Sequence, residues 1–423
     1  MSLSIASRPH QVSRASSVSS QLQSLPSWES QALRHLSLFK CAEDEESQRF
    51  ESAQRANTIQ TELVSLQGGR FSSLRVYMEQ LRPDTLENLA MSYKLGSAIQ
   101  SGESARGAHY VVYRLRTPLG DFALLKPRPL SINESYGTSL LEELRRANRI
   151  FHHLARHGFP APAPMLTRAG STIVTINGEH YAIYPYVHGR AMVRGNIRQV
   201  AKAGATLGSY HRIMADYPKR MSRSEEPFPS RFQDRVDLFT ENVEALDGQP
   251  SALGIEAGLD YFKDSLLDIE LSLLRLSYED LPRLTIHGDY RRQNILFEGD
   301  RLAAVIDFHR SRIEARSLDL AIALADILPR TGNGHALSLA RSFINSYEKV
   351  QPLSNDEQEA LPVLVEARVA WRALRRIRRI VNAKDKKKML RRARKFQLYV
   401  SHLRRVRMIR SSWKQIFAEE SSR

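Results

Sequence analysis

The chain has 423 residues, 42% of them hydrophobic, which suits two or three domains or one bilobal enzyme with appendages. A single cysteine, Cys41, excludes an intramolecular disulfide, and no apolar run reaches the length of a bilayer-crossing helix. The net charge of +16 sits in the tail, where residues 371–423 hold 19 Lys/Arg against 3 Asp/Glu; the body is neutral and is not built to meet a polyanion.

Residues 1–80 read as a Ser-rich extension. The first 30 residues hold eleven serines, two arginines and one acid, with no apolar h-region after a basic start. That composition fits a disordered terminus rather than a secretory signal, with organellar import or the leader of a delivered effector as alternatives to a cytoplasmic enzyme. Residues 31–66 have the spacing of one or two amphipathic helices, and "QGGR" at 67–70 reads as a break.

From about residue 85 the pattern changes to short strands, in "YKLGSAIQSGESARGAHYVVYRL" and "GDFALLK". A helix is predicted near 138–157, ended by Gly158 and "FPAPAP", and "HYAIYPYV" (180–187) reads as a strand. Helical periodicity then dominates 195–216, 230–245, 254–277, 316–328, 335–348 and 355–382, interrupted by short strands at "NILF" and "AAVIDF". A strand-rich lobe at 85–187 and a helix-rich lobe at 188–370 make an α+β, bilobal arrangement.

Residues 371–423 form a basic tail. In 385–417 the apolar positions 389, 393, 396, 400, 403, 406, 409, 413 and 416 trace one continuous helical stripe. The plain reading is a helix docked on the body with a solvated basic face. An anionic partner or membrane surface is the alternative, and the few aromatics speak against nucleic acid.

The stretch "IHGDYRRQN" (286–294) is dense in polar residues between the apolar "LTI" and "ILF". Asp307, in "VIDF", stands thirteen residues after Asn294 at the end of an apolar strand, and Asp319 follows in "LDLA". An acid, an amide and a second acid at the ends of short adjacent strands can converge on one cleft. Hard oxygen donors of this kind suit Mg²⁺ bridging phosphates. Phosphoryl transfer needs such a set: a base-type aspartate, an Asn and an Asp for metal, and a cation on the phosphates.

"HGDYRRQN", "VIDF" and "LDLA" together resemble the signature of the aminoglycoside phosphotransferase/choline kinase superfamily, whose fold is similar to that of protein kinases. "HGFPAPAP", "YPYVHG" and "LGSYHRI" extend the resemblance over about 90–380, and the branch it most resembles contains the type II homoserine kinases. The resemblance implies ATP and Mg²⁺ as cofactors. It makes Asp289 the base that orients the acceptor hydroxyl, Asn294 and Asp307 the metal ligands, His287 a brace of the loop and Asp319 a buried structural acid.

Lys126, ending "DFALLK", is the expected phosphate lysine, and in the family it pairs with a glutamate on the next helix. On that helix Glu143 falls within about 40° of the Ala147 line, inside the apolar stripe, whereas Glu142 faces outward. Glu143 is therefore the expected partner, although the family's glutamate often stands nearer Ala147. Ser101 and Gly102, in the Gly/Ser-rich run 96–110, are expected in the loop that covers the nucleotide, with Tyr186 and Val187 at the adenine hinge.

Arg291 and Arg292 occupy the loop where relatives often carry His-Pro. Arg291, two residues past Asp289, is placed to stabilise the transferring phosphoryl charge. The acceptor is expected to be a small hydroxyl compound: an amino acid, an amino alcohol or a sugar-like molecule. The acids Glu225, Glu226, Asp234, Asp237, Glu241 and Glu244 either meet its ammonium group or form a solvated helix face. A protein kinase, and a non-catalytic kinase-like scaffold acting through the basic tail, stay open as other readings.

Overall fold

A computed structural model describes residues 81–417, apart from 97–98, 107–109, 129–139, 219–224, 247–248, 329–332 and 384. The expectations for residues 1–80 lie outside the described residues.

The first lobe is a five-stranded antiparallel sheet in the order β1-β2-β3-β5-β4. Its strands are β1 (Gln100–Arg106), β2 (Tyr110–Thr117), β3 (Gly120–Pro127), β4 (Val174–Ile176) and β5 (Glu179–Pro185). Both faces of this sheet are covered. Helix α1 (Pro83–Tyr93) lies on one, where Leu89 and Tyr93 pack with Val111, Tyr113, Leu115, Leu124 and Ile183. Helix α2 (Leu140–Arg156) lies on the other, where Leu144, Ala147 and Phe151 meet Val112, Ala123, Leu125 and Tyr184.

Short strands were expected from about residue 85, but the segment up to Tyr93 is helical. Pro83 opens the helix, where its missing N–H costs nothing and its φ is already helical, and Asp84 follows in the first turn.

The second lobe is helical: α3 (Ile197–Met214), α4 (Phe228–Glu244), α5 (Glu256–Leu274), α6 (Ser317–Ile327), α7 (Asn333–Glu348) and α8 (Asn355–Val381). Each matches a helix expected from periodicity to within a few residues. Helix α8 starts with a full capping box between Ser354 and Glu357, so its first turn leaves few orphan N–H groups. Helices α3 and α7 pack closely because position 204 is glycine; a Cβ there would stand 2.1 Å from the Phe343 carbonyl oxygen.

Two small sheets sit between the lobes. One is β6 (Arg190–Ala191), β8 (Ile295–Glu298) and β9 (Arg301–Val305); the other pairs β7 (Arg283–Ile286) with β10 (Arg312–Ala315). Their short strands carry the polar loops. The tail forms α9 (Lys386–Met408) and a short helix α10 (Trp413–Phe417), broken at 409–412 rather than continuous. Ala393, Phe396, Val400, Leu403 and Val406 are buried on the body, so the apolar stripe is a docking face.

Candidate active site

The loop between β7 and β8 is built around a turn only glycine can make. Gly288 has φ +76°, and a Cβ there would meet the Arg310 carbonyl oxygen at 2.3 Å. Asp319, fully buried at the start of α6, accepts the N–H of His287 at 2.6 Å and of Gly288 at 2.8 Å. It also accepts from His211 Nε2 at 3.3 Å, and His211 Nδ1 meets the Tyr347 hydroxyl at 2.8 Å. Burial would raise the Asp319 pKa, but the His211 contact, His287 and the Gly288 N–H outweigh it and hold the carboxyl below its ordinary value. His287 braces the loop from inside, its Nε2 3.1 Å from the Ile306 carbonyl oxygen and its ring 4.6 Å from that of Phe308.

Asp289 follows the turn with its side chain part-buried. Arg291 Nε donates to Asp289 Oδ2 at 3.2 Å, while Tyr290 points into the helical lobe and donates its hydroxyl to the Ala203 carbonyl at 2.8 Å. Asn294 Nδ2 donates to the Asp289 carbonyl at 2.9 Å, which fixes the amide's orientation. The opposite end of that amide, Oδ1, is buried and has no hydrogen-bond partner.

Asp307 is brought alongside through the backbone, because Ile306 N–H donates to the Asn294 carbonyl at 3.0 Å. Asp307 itself is left-handed, with φ +69°, a conformation that costs a non-glycine residue about 1 kcal/mol and concentrates at functional sites. Burial works to raise its pKa, but the His309 Nδ1 contact at 3.0 Å and the neighbouring His287 and Arg310 hold the carboxyl below its usual range. Asp289, Asn294 and Asp307 are thus drawn into one oxygen-rich corner. Among the described residues no group of three or more His, Cys, Asp or Glu could hold a metal alone.

The hinge follows β5. Tyr186 N–H is spent on the Asp121 carbonyl at 3.1 Å, and the Arg114 guanidinium lies over the Tyr186 ring at 4.4 Å. Val187 packs on a small separate cluster of Leu296, Ala304 and Ile306. Val112, Ala123 and Leu125 belong to the cluster on the α2 side of the sheet.

Lys126 has a partner the sequence reading did not name: its Nζ is 2.7 Å from Glu179 Oε1 on β5. In β3, Ala123 and Leu125 face α2, so Lys126 shares the opposite face with Leu124 and with Val111, its partner on β2. There it borders an open pocket of about 420 Å³ with Leu81, Thr85 and Tyr181, beneath α1. Glu143 is buried on the cleft side near Tyr110; burial first, then Glu143 and Asp307 among its neighbours, raises the Tyr110 hydroxyl pKa.

Ser101 and Gly102 lie within β1, where Ser101 pairs with Leu115 and the register shifts before Ser104, so the glycine marks a bulge rather than a covering turn. Residues 107–109 lie outside the described residues. Of the two readings for the acids of α4 and the segment before it, the exposures fit the solvated helix face. Glu225 is taken by Arg231 at 2.8 Å and Arg312 at 3.1 Å, and Asp234, Asp237 and Glu241 are exposed.

Residues 105–353 match the model of the phosphotransferase enzyme (APH) family. The chain belongs to that family. It is 28% identical to a homoserine kinase of Caulobacter sp. (strain K31) over 293 residues, which is 69% of this chain and 84% of that protein. Its fold is similar to that of an aminoglycoside phosphotransferase from Alicyclobacillus acidocaldarius, with TM-score 0.59 and 18% identity over 80% of this chain and 97% of that one. It is also similar to a choline kinase from Cryptosporidium parvum, with TM-score 0.50 and 13% identity over 81% and 99%. Within the family the chain falls in the homoserine-kinase-like branch. It is a kinase that transfers phosphate to a hydroxyl acceptor, and it has the kinase-like fold of two lobes. Among the described residues no helix is long and apolar enough to cross a membrane.

Proposed function

We propose that the protein moves the γ-phosphoryl group of ATP to the hydroxyl of a small molecule (an amino acid, amino alcohol or sugar-like compound) in a reaction that needs Mg²⁺. The observation that carries this reading is the orphaned Asn294 Oδ1, buried without a partner beside Asp289 and Asp307. An unsatisfied buried acceptor costs about 1–3 kcal/mol, so it calls for a bound group. Asn294 and Asp307 offer hard oxygens, few in number, the donor set Mg²⁺ accepts when phosphates supply the rest. When bound, the ion neutralises charge on the β- and γ-phosphates.

The chain's own residues do the remainder. The adenine lies between Val112 and Ala123 on one side and Leu296 and Ile306 on the other, with Val187 at its edge. Asp289 accepts a hydrogen bond from the acceptor hydroxyl, aims its oxygen at the γ-phosphorus and takes the proton as that bond forms and the bond to the ADP oxygen breaks. Arg291, tethered to Asp289, holds positive charge beside the group in transit.

Incubating the purified protein with labelled ATP and panels of amino acids, amino alcohols, sugars and protein extract tests this reading. Label on a small hydroxyl compound supports it. Label only on protein, or no stabilisation by Mg·AMP-PNP, overturns it.

A further inference from the structure

Arginines gather behind the Asp289 loop, and Arg231, Arg312 and Arg372 each pair with an acid. Arg231 on α4 and Arg312 on β10 share the Glu225 carboxylate, and Arg231 also reaches Glu314 at 2.8 Å. Arg372 on α8 pairs with Asp326 at 3.3 Å, and Asp326 in turn accepts the Arg292 N–H at 3.3 Å, which ties α8 to the Asp289 loop. Arg312 stands against the same loop, because a Cβ on Gly288 would lie 2.6 Å from its guanidinium.

Arg368 is the exception. It lies one turn before Arg372 on α8, its Nε is buried without a hydrogen-bond partner, and among the described residues no carboxylate pairs with it. Its guanidinium sits 5.6 Å from the Phe228 ring centre and 5.9 Å from that of Trp371. Burial, then Arg312 and Arg372, oppose its charge, with Asp289 the acid that favours it; the pKa falls to about 9, so the group is still charged at neutral pH. A charged fork on an aromatic floor, crowded by like charges and one helical turn from the arginine tied through Asp326 to the Asp289 loop, lacks only an anion.

We propose that Arg368 is the acceptor-recognition residue, binding an anionic oxyacid group (carboxylate or phosphate monoester) of the compound whose hydroxyl faces Asp289, with Trp371 and Phe228 as the apolar wall. This inference rests on the phosphotransferase reading above. The planar guanidinium matches two oxyacid oxygens at once, which fixes the acceptor's orientation as well as its charge. The gathered arginines repel acceptors that carry only ammonium groups, so they select within a superfamily that includes kinases of cationic molecules.

The test uses the full chain with Mg·ATP and matched pairs that differ only in the anion: L-homoserine against aminopropanol, and glycerol phosphate against glycerol. The wild type is expected to favour the anionic member of one pair by roughly 100-fold in kcat/KM. The reacting pair identifies the oxyacid as carboxylate or phosphate. Arg368→Gln is expected to remove that preference mainly through KM, with Arg368→Lys restoring part of it, while the KM for ATP stays within about twofold.

Because no carboxylate among the described residues pairs with Arg368 and burial opposes its charge, Arg368→Gln is expected to unfold no earlier than the wild type; a purely structural arginine would give the opposite. Preference for the uncharged or cationic members, or equal losses on both members of a pair, overturns the inference and leaves the phosphotransferase reading standing. Binding of Mg·AMP-PNP with no turnover of any anionic compound also overturns it. Failure to bind Mg·AMP-PNP removes the underlying reading itself.

Discussion

Asp319 holds Gly288 and His287 by their backbone N–H groups, one carboxylate oxygen to each. The relationship couples the start of α6 to the loop that aims Asp289. Asp319→Asn replaces one accepting oxygen with an NH₂ group that faces an N–H donor in a fully buried site. The expected cost is about 3 kcal/mol, read as a lowered midpoint in denaturant unfolding, with transfer activity lost as the turn relaxes.

Gly288 carries the other half of that relationship. Gly288→Ala must place a Cβ 2.3 Å from the Arg310 carbonyl oxygen while keeping φ at +76°. Backbone, not a flexible side-chain end, is in the way. A loss on the order of 3 kcal/mol is expected in the same unfolding measurement, together with loss of turnover.

Lys126→Gln separates the observed fold from the family pattern. A lysine on the phosphates would weaken nucleotide binding many-fold when removed. Lys126 is on the α1 face and paired with Glu179, so stabilisation by Mg·AMP-PNP is expected to be unchanged while basal stability falls by less than about 1 kcal/mol. Calorimetry of nucleotide binding checks both.

Glu366 gives the docked tail a pH dependence. It is 1% exposed on α8, with Oε2 3.5 Å from Arg410 Nη1 and 3.7 Å from Arg407 Nε. Burial, assisted by Asp268 and opposed by Arg410 and Arg407, raises its pKa from 4.5 to about 7. A raised folded-state pKa means that its contribution is fully present below the unfolded value and is lost as pH rises through the folded one. Glu366→Gln is therefore expected to gain on the wild type between pH 4.5 and 7, by up to about 3 kcal/mol. Parallel Tm-versus-pH curves for the two proteins would contradict this.

The closeness of Asp289, Asn294 and Asp307, fixed by short covalent spacing, was legible. Asp289, Asn294 and Asp307 sit on one hairpin and its flanks, so strand ends and turn residues placed them. The helices were legible because each buries one stripe, as α2 does with Leu144, Ala147 and Phe151. Lys126 was not legible, for a physical reason: both faces of the first sheet are buried, one under α1 and one under α2. Alternation along "DFALLK" put Lys126 with Leu124, but it could not say which helix covers that face. Its partner Glu179 is distant in sequence and adjacent only through the β3–β5 pairing. The role of Arg368 was hidden likewise, since nothing local to α8 shows that its neighbours already own their acids.

The central claim is that Asp289 activates an acceptor hydroxyl beside a nucleotide held by Asn294 and Asp307. The most direct measurement is transfer of labelled phosphate to the best acceptor by Asp289→Asn, paired with Mg·AMP-PNP binding to the same protein. The expected result is a fall in kcat of at least about 100-fold with nucleotide affinity within a fewfold of the wild type. Transfer at the wild-type rate by Asp289→Asn would contradict the account.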